Sequence, residues 1–367
     1  MRINSISNLE QYANKSVFVG LSGGVDSSVS AALLQQAGAD VTGVFMKNWA
    51  GERGLQIDCP WQEDLDSARA AANHLGINFA VVNFEQEYKQ YVLDYFFAEY
   101  KAGRTPNPDI LCNSEIKFKA FLDWALDKGA DYIATGHYAG KKKINGIERL
   151  IRPRDKNKDQ TYFLSNLSAA QLNRAVFPLQ DLTKVEVRKV AKKLELPNHQ
   201  RKDSQGICFI GDLDVSEFLR KYIDCQVGEI VDEDSGEVIG KHSGVAFYTI
   251  GQRQGLGIGG ADKPYYVSSK DAKRNIIYAV QGRGNKKLCK HEILVENTHL
   301  INKKADYTEL EKFPLTAAIR YRQVPQRGQY DSRKKRFVFT EGQWAPSPGQ
   351  SLVYYSGNIC LGRSIIK

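Results

Sequence analysis

The 367 residues exceed what one hydrophobic core usually serves, so two or three domains are expected, each able to bury a sizeable core without disulfide staples. The N-terminus lacks a stretch of signal-peptide length and no uninterrupted apolar run could span a bilayer, which argues against a membrane protein and predicts a cytoplasmic one. The net charge of +9 is uneven: residues 1–100 hold 6 Lys and Arg against 12 Asp and Glu, the remainder 45 against 30, so the later part predicts a polyanionic partner.

In chain order, Val17-Phe18-Val19 leads into Gly20-Leu21-Ser22-Gly23-Gly24-Val25-Asp26-Ser27 and then a helical pattern through Val29, Ala32, Leu33 and Leu34. This is a strand, a tight glycine-rich turn and a helix start. Gly23 and Gly24 are expected to take dihedrals closed to other residues and to let the backbone approach an oxyanion, which the free N–H groups of the helix start would hold. The lysine of the G-x-x-x-x-G-K-[ST] loop is missing, and Asp26 supplies instead a carboxylate able to hold Mg²⁺. That exchange favours departure of pyrophosphate over γ-phosphate hydrolysis. The stretch Ser22 to Ser28 resembles the signature of the ATP pyrophosphatases, which activate an oxygen by adenylation.

Apolar runs at 41–46 and 79–84 alternate with helical patterns at 64–75 and 88–102, a βαβ rhythm that predicts a parallel sheet. A helix over Glu115–Lys128, a strand at Tyr132–Thr135 and a capping box at Thr183–Glu186 continue the α/β unit to about residue 205. After Gly211 the pattern changes to short strands, including Val245–Ile250, Tyr265–Ser268 and Ile276–Val280, separated by Gly, Asp and Asn turns. From Glu292 onward, strand-like runs at 293–295, 315–319, 337–339, 352–355 and 359–366 predict a small terminal β-barrel. The clusters Lys141-Lys142-Lys143 and Arg333-Lys334-Lys335-Arg336 are read as solvated turns, with RNA phosphate contacts as the competing reading for each. The expected fold is a doubly wound parallel α/β domain over 1–207, a β-rich central domain over 208–284 and a β-barrel over 285–367.

The six cysteines, at 59, 112, 208, 225, 289 and 360, form no C-x-x-C pair and have no histidine at zinc-finger spacing, so no structural metal site is signalled and any cysteine that matters acts as a thiol. Two stand in unusual settings. Thr105-Pro106-Asn107-Pro108-Asp109-Ile110-Leu111-Cys112 cannot be helical through both prolines, which predicts Cys112 on a stiff turn just before the helix at Glu115, where the dipole lowers a thiol pKa. Asp109 could pass protons or orient a polar substrate group. Gly206 and Gly211 flank Cys208 as in a loop able to carry its thiol. For both cysteines, burial as a core residue is the competing reading.

An adenylating loop together with two distant loop cysteines is what ATP-driven sulfur transfer needs. With the segments Gly43 to Trp49, Ala134 to Tyr138, Lys158 to Leu164, Gly251 to Gly260 and Ile319 to Arg322, the chain resembles the bacterial tRNA 2-thiouridylase family over nearly its whole length. The resemblance implies ATP contacts from Gly20, Leu21, Ser22, Gly23, Gly24, Val25, Asp26, Ser27, Met46 and Gly136, with ATP and Mg²⁺ as cofactors. It implies contacts to the target base from Asn107, Pro108 and Asp109, and to tRNA from His137, Lys158, Asp159, Gln160, Arg320, Tyr321 and Gln350. Cys112 would be the nucleophile and Cys208 the persulfide carrier. Ser114 and Gln254 depart from the family in replacing residues that are often basic. Implied partners are the tRNAs for Lys, Glu and Gln and a sulfur donor, a cysteine desulfurase or relay protein; a monomer is expected.

The chemistry follows from the leaving group. The C2 oxygen of uracil leaves poorly, and transfer of AMP to it lets the oxygen depart with the phosphate. A nucleotide synthetase of the amidotransferase type or a lysidine-type tRNA ligase would share Gly20–Ser27 without needing Cys112 or Cys208. A non-catalytic RNA-binding protein would bind tRNA without ATP.

Overall fold

The computed structural model describes residues 8–49, 61–202, 215–302, 310–311 and 314–367. The expected loop around Cys208, and Cys59, lie outside the described residues.

The first sheet grows from β1 (Ser16–Gly20), which is apolar on both faces: Val17 and Val19 are fully buried on one side and Phe18 packs on the other. A strand covered on both faces belongs at the centre of a parallel sheet. It pairs in parallel with β2 (Asp40–Lys47) and β4 (Tyr132–Ala134), while β3 (Asn78–Asn83) extends β2 and β7 (Ala175–Val176) extends β4. The order β3-β2-β1-β4-β7 therefore reverses direction of growth at β1 and β4, and a ligand crevice opens at the strand ends of such a switch point. Helices α1 (Val25–Gln36) and α2 (Trp61–Leu75) cover the Val17 side.

The other face is covered by residues 85–127. There α3 (Glu85–Tyr88), a π-helical turn (Lys89–Leu93) and α4 (Asp94–Lys101) run on without a break. Next, α5 (Pro108–Leu111), a nine-residue π segment (Cys112–Ala120) and α6 (Phe121–Asp127) form one continuous helix. Pro108 sits at its N-terminus, where a missing N–H costs nothing. The predicted start at Glu115 is corrected: Cys112 lies one turn inside the helix, at the first residue of the π segment. The two prolines end the extended stretch sooner than their spacing suggested.

A hairpin follows, β5 (Gly140–Ile144) and β6 (Ile147–Ile151), turned at Asn145 and Gly146, both at positive φ as a two-residue hairpin turn requires. Lys141–Lys143 is thus a strand and not the expected turn. α7 (Ala169–Arg174) and α8 (Lys184–Lys193) each begin with a complete capping box, Ser168/Gln171 and Thr183/Glu186.

After α9 (Val215–Arg220), the central sheet comprises β8 (Gly228–Asp232), β9 (Val238–His242), β10 (Tyr265–Asp271) and β11 (Ile276–Gln281), in the order β10-β11-β8-β9. The predicted strand at 245–250 is instead a 3₁₀ turn at Val245–Phe247, entered through Gly244 at φ 137°. The last unit is a six-stranded antiparallel barrel of β12 (Cys289–Leu300), β13 (Leu315–Ala318), β14 (Gln326–Asp331), β15 (Arg336–Trp344), β16 (Ser351–Ser356) and β17 (Ile359–Ile366), closed by β12 pairing with β17. Phe337, Phe339, Leu352 and Tyr354 fill its interior. The β5–β6 hairpin joins this sheet through Ile151 and Leu150 opposite Ile359 and Cys360, so the α/β unit and the barrel share hydrogen bonds.

Among the described residues no helix is long and apolar enough to cross a membrane. The α8 cap gives a first prediction. Thr183→Ala removes the bond from Glu186 N and should cost about 1 kcal/mol in urea unfolding, whereas Val185→Ala, on an exposed position of the same helix, should cost less than about 0.5 kcal/mol.

Candidate active site

β1 ends at Gly20 and α1 begins at Val25, so the glycine-rich turn stands at the switch-point crevice. Gly23 has φ +75°, and a Cβ there would lie 2.4 Å from Asp64 O, a position only glycine can hold. Gly24 corrects the expectation: its φ of −81° and ψ of 162° are open to any residue, and it serves as the N-cap of α1. No side chain caps that helix start, so its first N–H groups remain for an anion. The turn is fixed from behind, where Gly23 O accepts from Ser67 Oγ (2.7 Å), Asn198 Nδ2 (2.9 Å) and Arg201 Nη1 (3.2 Å). Arg201 is held in turn by an ion pair with Asp64.

Asp26, in the first turn of α1, is the acceptor of a three-element knot. Lys184 Nζ, from the start of α8, reaches Oδ1 at 2.7 Å and Oδ2 at 2.8 Å, and Tyr138 Oη donates to Oδ1 at 3.0 Å. The lysine that the loop motif lacks is therefore present in space, 158 residues away in sequence. Sequence reading missed it because its only local signal was the cap of α8. The donor set suits Mg²⁺, which takes one or two carboxylates and completes its shell with phosphate oxygens and water. Among the described residues no group of three or more His, Cys, Asp or Glu could cage a metal alone.

Met46 and Gly136 join this loop. A Cβ on Gly20 would meet Met46 Cε at 2.8 Å, and one on Gly136 would meet Ser27 N at 2.7 Å. His137 follows on the same strand exit, bonded through Nδ1 to Thr135 Oγ1 (2.8 Å), with its ring 6.0 Å from that of Phe118 in the π segment. Burial, with a smaller push from the Lys117 charge, holds its pKa well below the ordinary 6.5. Gly136 and His137 thus connect the glycine-rich turn to the helix of Cys112.

Cys112 is fully buried, and Asp109 lies one turn earlier, half-buried. Of the other described cysteines, burial pushes the thiols of Cys225 and Cys360 up, away from the reactive thiolate. Asn107 and Asn113 flank Cys112, and the Oδ1 of each is buried without a hydrogen-bond partner among the described residues. Orphaned acceptors of this kind mark a place for a ligand donor. The Thr105–Pro106 stretch is clamped by the barrel: Gln350 Nε2 donates to Thr105 O (2.8 Å) and Pro106 O (3.1 Å), and Thr105 N donates to Pro348 O (2.8 Å).

The remaining sequence-predicted contacts divide. Asp159 is committed to Arg152 (2.5 Å) and to Thr161 Oγ1 (2.6 Å), and Gln160 Oε1 accepts from Tyr138 N (2.9 Å), so both brace the site from within. Lys158 and Arg320 line a cleft of about 490 Å³ between residues 152–162 and the barrel, together with Arg152, Lys156 and Arg322. The Tyr321 ring packs at 4.4 Å on that of Phe163, whose carbonyl accepts from Asn113 Nδ2 (3.4 Å). Cys208 lies outside the described residues.

Two outcomes follow. Gly136→Ala should cost about 1–3 kcal/mol in urea unfolding and weaken ATP binding at least about tenfold by calorimetry, because the added carbon displaces the Ser27 backbone. A histidine held neutral by burial contributes stability that is complete above its unfolded pKa near 6.5 and is lost as pH falls toward its depressed folded value. His137→Gln should therefore flatten the loss of stability between pH 6.5 and 5, read from urea midpoints, without abolishing it, since His242 and His299 are shifted down as well.

Against known proteins, residues 15–212 match the family described as the tRNA methyl transferase HUP domain, residues 216–281 its PRC-barrel domain and residues 290–366 an aminomethyltransferase beta-barrel domain. The chain is 49% identical over 357 residues to tRNA-specific 2-thiouridylase MnmA 1 of Geobacillus kaustophilus, covering 96% of this chain and 95% of that one. It is 48% identical to the tRNA-specific 2-thiouridylase MnmA of Pseudomonas paraeruginosa, covering 96% and 94%, and 49% identical to that of Thiobacillus denitrificans, covering 95% and 99%. The segment descriptions speak of methyl transfer and the full-length relatives of thiolation. It is the full-length identity, spanning both the glycine-rich turn and Cys112, that assigns the chain: it belongs to the tRNA-specific 2-thiouridylase family.

Proposed function

We propose that this chain, a tRNA-uridine sulfurtransferase by family, thiolates the wobble uridine at C2 after adenylating the C2 oxygen with ATP. The observation that supports it most is the continuity of two sites: Gly136 rests on Ser27 of the glycine-rich turn, and the next residue, His137, faces Phe118 on the helix of Cys112. In this reading the uncapped N–H groups of α1 hold the phosphates and Asp26 would hold Mg²⁺, which supplies charge neutralisation on the departing pyrophosphate. Lys184, now paired with Asp26, is placed to turn to the phosphates once the carboxylate is occupied. The orphaned Oδ1 atoms of Asn107 and Asn113 suit the N3–H donor of a uracil flipped from its stack. The C2 oxygen attacks the α-phosphorus and expels pyrophosphate, with Asp109 as proton shuttle.

Sulfur then replaces AMP. A persulfide on Cys208 delivers its terminal sulfur to C2, directly or as sulfide displaced by Cys112, and either route leaves a Cys112–Cys208 disulfide that a reductant reopens. Lys158, Arg320 and Tyr321 would meet the anticodon arm, with a sulfur donor protein renewing the persulfide and the tRNAs for Lys, Glu and Gln as substrates.

The test is mass spectrometry of wobble nucleosides after incubation with tRNA, ATP-Mg²⁺ and a persulfide source. Wild type should yield 2-thiouridine and AMP. Cys112→Ser and Cys208→Ser should lose the thiolated base while still releasing pyrophosphate and holding the uridine as its adenylate, and Lys184→Met should slow pyrophosphate release on the order of a hundredfold. Thiolation that survives either cysteine change would overturn the sulfur path.

A further inference from the structure

The glycine-rich segment Gly251–Gly260 has no part in the site described above, yet it leads to a cluster of unneutralised cations. A Cβ on Gly251 would lie 2.9 Å from Trp344 Cη2, so this turn lies against the indole. The same ring carries two guanidinium groups: Arg320 Cζ is 5.1 Å and Arg283 Cζ 5.2 Å from its centroid. Arg283 is exposed, on the turn that leaves β11 of the central sheet, and Trp344 Nε1 donates to its carbonyl (3.0 Å). Arg320 comes from the loop after β13 and donates through Nη2 to Ala345 O (2.5 Å). Tyr266 closes the ring's edge at 6.0 Å.

Two like charges held within about 10 Å of each other, roughly a Debye length at 0.1 M salt, still repel in part through the solvent. Other arginines of the chain answer such a cost with a carboxylate: Arg104 has Glu99, Arg152 has Asp159 and Arg336 has Asp331 and Glu292. Among the described residues neither Arg283 nor Arg320 has such a partner, and Asp234, which accepts from Asn285 two residues past Arg283, is paired with Lys287 at 2.8 Å. A planar guanidinium stacked on an indole is pre-oriented and keeps its N–H edge for an oxyanion.

We propose that Arg283, aligned on Trp344 beside Arg320, is a phosphate contact for the tRNA backbone that extends the basic cleft across the barrel onto the central domain. This rests on the tRNA reading given above. Arg320 faces both the cleft and the indole, so one strand of phosphates could pass from Lys158 and Arg322 over Arg320 to Arg283. The central sheet thereby gains a function, that of carrying the far end of the polyanion track.

The experiment measures tRNA affinity of the full chain by filter binding from 50 to 200 mM salt, with wild type, Arg283→Ala, Arg283→Lys and Arg69→Ala. Arg69 is an exposed arginine on α2, stacked on Phe79, and serves as a charge-matched control. Arg283→Ala should weaken binding about five- to tenfold and lower the salt slope by about one ion, Arg283→Lys should restore the slope, and Arg69→Ala should change neither. ATP affinity should be equal in all four. An unchanged slope in Arg283→Ala, a lysine variant that fails to restore it, or an equal loss in Arg69→Ala overturns the proposal while leaving the sulfurtransferase reading intact. Failure of wild type to bind tRNA would overturn both.

Discussion

Asp26 is the constraint on which the site depends. Its carboxylate draws together α1, the exit of β4 through Tyr138 and the start of α8 through Lys184. The pair is partly buried, with 30% of the Asp26 side chain and 13% of that of Lys184 exposed, so it lies between a surface pair worth little and a buried one whose rupture costs several kcal/mol. An interaction of that middle strength can tie α8 to the start of α1 and still be given up when a ligand competes for either partner. The turn itself need not move, because Gly23 O is already held by Ser67, Asn198 and Arg201. The exchange is confined to side chains, which keeps the reorganisation cost small.

The uneven charge of the sequence takes its meaning from this knot. The glycine-rich turn lies in the first 100 residues, where acids outnumber bases 12 to 6. A polyphosphate could not be held there by local side chains. The fold compensates by returning basic residues from later in the chain: Lys184 to Asp26 and Arg201 to the back of the turn. In the proposed reading the nucleotide subsite is therefore assembled late in the sequence, and it needs α8 docked on α1.

Much of the architecture was legible because its signals are local. The apolar runs at 17–19, 41–46 and 79–84 became β1, β2 and β3, and the Thr183–Glu186 box became the cap of α8. The misreadings have equally physical causes. Val245–Ile250 has strand composition, but Gly244 at φ 137° redirects the chain into a 3₁₀ turn. Lys141–Lys143 looked like a solvated turn, yet pairing with β6 and, through it, with β17 makes it a strand. The π segment from Cys112 to Ala120 has no sequence signature, since the widened hydrogen-bond register is imposed by packing. In the site, the glycine-rich turn could be read from composition, but Lys184, Tyr138 and the Arg283–Trp344–Arg320 stack are meetings of distant residues that no periodicity encodes.

The barrel, proposed above to meet the RNA, also makes contacts that reach the turn before Cys112. Gln350 and Pro348 bind the backbone of Thr105 and Pro106, just before Asn107, Asp109 and Cys112. From β17, Arg363 bonds Asn166 Oδ1 (2.9 Å), whose amide donates to Ser114 Oγ (2.9 Å) two residues past the cysteine. Two proline residues stiffen the turn but do not aim it; the aim comes from these bonds across the domain junction. Because β6 pairs with β17, the barrel is also fixed to the α/β unit by backbone hydrogen bonds and cannot pivot freely against it. In the proposed reading, an RNA gripped by the barrel would be held in a frame fixed with respect to Cys112, which is the precision that attack at a single ring carbon demands.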